Sequence, residues 1–199
     1  MARLHNFLRV LHDTRLNNQL GTATMISHKF NEGFSLIELL LIGAIIGIIS
    51  AVAVPNLVSS KRSANEASAL ATVRSISGAE ATYQTTAGGG LYGDLAALRD
   101  HNLVDASVGA ATIAGPGTPK SGYLFSAENI DGTGAPAFDV KAQPSLHTDS
   151  STFSATGSRS FFINEAGVVY FNRTDTAPIC SANSDRDVTP GDGGGVLNN

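Results

Sequence analysis

The chain has 199 residues, of which 42% are hydrophobic and only 15% charged, with 21 glycines and 7 prolines. The length predicts one domain with an appendage, while the glycine and proline content excludes one long helical bundle and no Gly-X-Y period points to collagen. From Phe34 onward there are nine cations against fifteen acids, a net charge of −6, which argues against nucleic acid as a partner because that needs clustered Lys and Arg.

The charge shortfall is local. Between Leu39 and Ser60 there are 22 residues without a charge, close to the roughly 20 apolar residues that span a bilayer. Three readings fit such a segment near an N-terminus. It can be a secretory signal, since Ala51-Val52-Ala53 has the small-x-small pattern of a cleavage site. It can be a plain membrane anchor, or the membrane helix of a subunit that leaves the bilayer by assembly. Glu38 bears on the choice. A carboxylate in an apolar segment costs about 2.5–3.5 kcal/mol at the helix centre and less near the interface. An anchor or signal gains nothing from it, whereas a segment that later pairs it with a cation gains a register device.

The sequence Gly33-Phe34-Ser35-Leu36-Ile37-Glu38, followed by the apolar run, Gly47 and Pro55, closely resembles the class III signal of type IV pilins and type II secretion pseudopilins. The resemblance covers roughly residues 30–60. It implies that a prepilin peptidase cuts after Gly33 and methylates Phe34 as the new N-terminus. Glu38 then falls at the family's assembly glutamate and Pro55 at its helix-kinking proline. Cleavage would create an α-amine at Phe34, a natural counter-ion for the Glu38 of a neighbouring subunit inside a bundle of apolar helices. Pro55 lacks a backbone N–H, so the helix is expected to bend or loosen there. Gly43 and Gly47 form a Gly-x-x-x-Gly that permits close helix approach. The leader of 33 residues is long for the family, and Glu32 stands where a basic residue is usual; a start at Met25 would shorten the leader to residues 25–33.

Past Pro55 the pattern stays helical. Leu57, Ala64, Ala67, Leu70, Ala71, Val73, Ile76 and Tyr83 recur mostly at spacings of three or four, with Lys61, Arg62, Glu66, Arg74 and Glu80 between them. Gly88-Gly89-Gly90 ends the helix. A helix over residues 34–86 would extend on the order of 80 Å, more than a compact domain of this size buries; its first half needs lipid or a filament core. Residues 94–102 predict a short helix with an Asp94 N-cap, and Gly115-Pro116-Gly117 with Pro119 a loop. Residues 122–126 and 137–141 predict strands around an Asp131-Gly132 turn. Residues 160–163 and 168–171 predict a hairpin around Asn164-Glu165-Ala166-Gly167.

The expected fold class is therefore α+β: a long N-terminal helix, transmembrane in its first half and amphipathic in its second, packed on a small antiparallel sheet. The expected organisation is a leader over 1–33, a hydrophobic assembly helix over 34–58 and a globular domain over 59–199. The segments around 120–125 and 164–171 look similar to short pilins and the major pseudopilin.

No nucleophile motif, P-loop or His-Glu-x-x-His occurs, so no catalytic, cofactor-binding or metal site is expected and the chain reads as a non-enzyme. Asp185, Asp187 and Asp192 lie in a glycine-rich tail. Oxygen-only ligands suit calcium, and the resemblance to the major pseudopilin implies such use, but the spacing favours a solvated acidic tail. The single cysteine, Cys180, excludes an intrachain disulfide framework and a metal–thiolate cluster; it is read as a half-buried thiol or an intersubunit disulfide. The resemblance implies a structural filament subunit whose partners are further copies of itself (a homopolymer), a prepilin peptidase, an inner-membrane assembly platform and, before assembly, the membrane. Its location would be the inner membrane as precursor and an extracellular pilus afterwards. The alternatives are the major pseudopilin of a type II secretion system, in a periplasmic filament, and a secreted or anchored binding module.

Overall fold

The computed structural model describes residues 34–130, 135–147, 154–180, 186–191 and 193–197. The chain divides into two compact units, Met1–Ile45 and Ile46–Asn199. The described part of the first unit is helical from Leu36 onward.

Helix α1 comprises Leu36–Thr86, 51 residues, and runs through Pro55 without interruption. Pro55 cannot donate to the Ala51 carbonyl four residues back. One position on, the Asn56 side chain donates to the Val52 carbonyl at 3.1 Å, adding a polar contact beside the break in the ladder. The helix ends in the glycine run as the sequence predicts. The Gly88 N–H bonds the Tyr83 carbonyl at 2.7 Å and the Gly90 N–H that of Gln84 at 3.0 Å, with Gly89 and Gly90 at φ 59° and 97°, a region only glycine enters cheaply.

Two short helices follow, α2 (Leu95–Asp100) and α3 (Ala106–Ala110). The predicted cap is present: Asp94 Oδ1 accepts the Ala97 N–H at 2.7 Å. Strands β1 (Tyr123–Ile130), β2 (Ala137–Pro144), β3 (Ser160–Asn164), β4 (Val169–Asn172) and β7 (Gly195–Val196) form one antiparallel sheet in that order. Strands β5 (Ile179–Cys180) and β6 (Val188–Thr189) pair separately. The β3–β4 turn is closed by the Gly167 N–H on the Asn164 carbonyl at 2.9 Å, with Gly167 at φ 73°. The expected Asp131-Gly132 turn lies outside the described residues. Helix α3 and the two-residue strands β5, β6 and β7 carry no periodic signal, because two residues cannot alternate.

Alternation along each strand separates two faces. One face places Tyr123, Phe125, Val140, Ala142, Phe161, Ile163 and Val169 against Ala69, Val73, Ile76 and Ala79 of α1. Phe125 is wholly enclosed, and truncating such a side chain costs about 3–5 kcal/mol. The other face buries Asp139, Ser160, Phe162, Asn164 and Asn172, so β3 is buried on both sides, as its unbroken apolar Phe-Phe-Ile run permits.

The packing stripe of α1 matches the expected one in part: Val73 and Ile76 are buried and Leu70 and Tyr83 pack against the core, while the rest shifts. Leu57, Ala64, Ala67 and Ala71 are exposed, and the residues that turn inward are Glu66, Ala69, Val73, Ile76 and Glu80, with Tyr83 half-buried. These recur at spacings of 3, 4, 3, 4 and 3, the signature of one helix face. Glu66 and Glu80 belong to the core side rather than to the solvated side. Both are buried because each meets hydrogen-bond donors there.

Candidate functional site

The first feature is an apolar surface that no described residue covers. Fourteen large apolar side chains from Phe34 to Leu57 are exposed, by 42% at Ile42 to 80% at Leu36. The most apolar 18-residue window of α1 is wholly unburied, and the helix is long and apolar enough to cross a membrane. At about 2 kcal/mol per unburied side chain, leaving this surface in water would cost on the order of 30 kcal/mol, more than a domain's whole stability. It is apolar all round, a pattern that suits lipid or a packed bundle.

Glu38 stands in the first turn of α1, where unpaired backbone N–H groups present partial positive charge that suits a carboxylate. Phe34 is 70% exposed, immediately before the helix. A Cβ built at Gly43 or Gly47 meets nothing within 4 Å, so no contact in the described chain requires glycine there. Gly33, with the leader and Met25, lies outside the described residues. Glu38, Gly47 and Pro55 are thus arrayed along α1, with Phe34 two residues before its start, and Gly47 and Pro55 are exposed on it.

The second feature is a pair of ionic clasps in the globular unit. Glu66 is 6% exposed. Its Oε1 accepts the Ser158 N–H at 2.8 Å and the Ser158 hydroxyl at 2.7 Å, and its Oε2 accepts Arg159 Nε at 2.8 Å. Burial pushes its carboxyl up, but the Ser158 and Arg159 hydrogen bonds together outweigh it and hold the pKa below the usual range. The Tyr123 hydroxyl donates to the Arg159 carbonyl at 2.7 Å.

Arg186, at φ 49°, closes the other clasp. Its guanidinium reaches the Phe138 carbonyl at 3.0 Å, Glu165 Oε1 and Oε2 at 2.9 and 3.0 Å, and the Asp139 carboxylate. Burial raises the pKa of Asp139 more than Arg186 lowers it, whereas for the less buried Glu165 the Arg186 bonds win and the pKa falls. Beside the clasp, Cys180 is a half-buried free thiol that donates to the Arg186 carbonyl at 3.1 Å, and burial pushes its pKa up. The Ser160 hydroxyl and Asn172 side chain both donate to the Thr176 carbonyl, at 2.7 and 3.1 Å. The segment after β4 is thereby fastened over the sheet's second face without a disulfide among the described residues.

No group of three His, Cys, Asp or Glu side chains is arranged to hold a metal among the described residues. Of the acidic tail only Asp187 is described; Asp185 and Asp192 lie outside. Glu66, Glu80 and Arg186 were missed by motif reading. The signal for the two glutamates was present in the spacing of Glu66, Ala69, Val73, Ile76 and Glu80. No protein-family model, curated protein or solved structure matches the chain.

Proposed function

We propose that this chain is a prepilin-type structural subunit, cleaved after Gly33, methylated at Phe34 and polymerised through the exposed part of α1 into a type IV pilus. The observation that carries the reading is the fully unburied apolar surface from Phe34 to Leu57, with one carboxylate, Glu38, in its first turn. Before assembly this surface resides in the inner membrane. After extraction by an assembly platform it is covered by the same segment of neighbouring copies. Removal of the leader leaves an ammonium at Phe34 that meets a neighbour's Glu38, so that the pair sets register while apolar burial supplies affinity. Gly43 and Gly47, free of contacts within 4 Å of a built Cβ, let the helices approach closely. The globular unit then forms the filament surface. Adhesion, motility and DNA uptake remain alternatives for that surface, although the −6 body gives no basic patch for DNA.

Mass spectrometry of the N-terminal peptide, from sheared surface material and from membranes, tests this. A peptide beginning at methylated Phe34 in the sheared fraction is the expected result. The same peptide confined to the membrane assigns the chain to a type II secretion pseudopilin. A chain beginning at Val54, or an uncut one, overturns the filament reading and leaves a secreted or anchored binding module.

A further inference from the structure

Glu80 has no role in either clasp, yet it is the most enclosed carboxylate among the described residues, with no exposed surface. Its Oε2 accepts the Gly93 N–H at 2.9 Å. Its Oε1 is buried and has no hydrogen-bond partner among the described residues. A carboxylate left with one satisfied and one orphaned oxygen is a site of stored cost, and here the only bond it makes is to the segment that links α1 to α2.

That segment, residues 87–94, is rich in glycine. Gly88, Gly89 and Gly90 form its first half, the latter two at positive φ. Leu91 is exposed, and Tyr92 lies edge-on to Phe138 with ring centroids 4.7 Å apart. Gly93 is buried, where a Cβ would stand 3.2 Å from the Tyr83 ring. Asp94 caps α2. The Gly93–Glu80 bond therefore fastens the end of the glycine run to α1.

The charged and titratable surroundings of Glu80 are one-sided. From this segment, Asp94 opposes its ionisation. On α1 itself the nearest titratable ring is Tyr83, which His101, at the end of α2, meets edge-on at 5.4 Å. From the sheet, the face turned to α1 is apolar but for Tyr123, whose hydroxyl is engaged by the Arg159 carbonyl. Among the described residues no cation offsets the charge: burial first, and Asp94 after it, outweigh the Gly93 bond and push the Glu80 pKa up to about 7.

We propose that Glu80 is a protonation-gated latch: the neutral acid holds the 87–94 flap closed on the core, and the carboxylate releases it. Ionisation places an unpaired charge inside the fold. The least costly relief is to admit water to Oε1 by swinging the flap on its glycines. That movement lifts Tyr92 from Phe138 and breaks the Gly93 bond. The flap is closed in mildly acidic surroundings and opens as the pH rises through neutrality. The inference stands on the globular unit alone and does not depend on the filament reading.

Hydrogen exchange of the full chain between pH 5.5 and 8.5, corrected for the intrinsic pH dependence of exchange, tests the latch. Peptides over 87–94 are compared with peptides over β3 and β4 as an internal control. Because opening releases one proton only while the closed form is still protonated, protection of the flap should fall by up to about tenfold per pH unit as the pH rises toward the midpoint near 7 and level off above it, while the control stays level. Glu80→Gln, neutral at every pH, should abolish this dependence. Asp94→Asn keeps a capping side chain and removes the opposing charge, so it should move the midpoint to lower pH. Flap protection that follows the control in the wild type overturns the proposal, as does an unaltered pH profile in Glu80→Gln. Should Glu80→Gln fail to fold, an unmoved midpoint in Asp94→Asn overturns it instead.

Discussion

The Glu66 carboxylate on α1 accepts Arg159 Nε at 2.8 Å across 93 positions of chain, and its other oxygen holds both donors of Ser158. A helix face and the segment entering β3 are thereby locked by three hydrogen bonds to one carboxylate. Because the folded pKa is depressed, the contribution is fully present above the unfolded value near 4.5 and is lost as pH falls through the folded value. Glu66→Gln should cost about 1–2 kcal/mol, since it strips charge from a buried carboxylate whose donors stay aimed at it, while the 37% exposed Arg159 partner is screened by water. Denaturant unfolding of the full chain in detergent at pH 7 and pH 3 checks this. The deficit of the variant should shrink at pH 3, and an equal deficit at both would remove charge from the explanation.

A neighbouring position tests the same region sterically. A Cβ built at Gly157 stands in overlap with the Tyr123 hydroxyl and within 2.7 Å of its ring carbon Cζ, so glycine there serves close approach rather than backbone freedom. Gly157→Ala must displace the Tyr123 ring from the core or break its bond to the Arg159 carbonyl. Either way the expected loss is about 2 kcal/mol. The double variant Gly157→Ala/Tyr123→Phe should lose less than the sum of the two single changes, because both act on one hydroxyl. A strictly additive result would place the damage elsewhere.

The sheet was legible where apolar and β-branched runs meet glycine turns, as in 160–163 and 168–171, because local chemistry there agrees with the final pairing. The helix was legible in extent and, at Leu70, Val73, Ile76 and Tyr83, in facing, but not at its alanines and glutamates. Alanine occurs on several sides of α1, so a count of apolar residues favoured Ala64, Ala67 and Ala71, whereas the sheet selected Ala69 and Ala79. Glu66 and Glu80 fall between the apolar positions in sequence, and glutamate is rarely buried without a partner; their partners Ser158 and Gly93 lie 92 and 13 positions away. The Arg186 clasp was illegible for the same reason: it joins the tail to β2 and to the β3–β4 turn by side chains that share no local pattern.

The Arg186 clasp makes Cys180 a reporter. The thiol bonds the Arg186 carbonyl, and its pKa is raised mainly by burial, so it should react slowly with alkylating reagents near neutral pH. Arg186→Ala leaves Asp139 buried without its counter-ion and should cost about 3 kcal/mol locally. Even 1.4 kcal/mol of local opening multiplies the reactive population tenfold. Cys180 alkylation should therefore accelerate by at least about tenfold. Arg186→Lys, a point charge that cannot span both carboxylates, should fall between the two. Unchanged labelling in Arg186→Ala would show that the clasp does not hold the tail.

Glu38 offers the sharpest separation of assembly from folding. It is exposed in the first turn of α1, so replacing it leaves the core of the globular unit untouched. In the proposed filament it pairs with a neighbour's Phe34 ammonium in a low-dielectric bundle, where losing one partner strands the other charge at about 3–5 kcal/mol. That corresponds to a loss of subunit affinity on the order of a hundredfold or more, repeated at every interface. Glu38→Gln should reach the membrane, be cleaved after Gly33 and retain the thermal unfolding of the globular unit, yet yield almost no sheared filament. Glu38→Asp keeps the charge on a shorter arm and should assemble partially. Filaments at wild-type yield from Glu38→Gln would mean that apolar burial alone sets register, and the carboxylate would need another explanation.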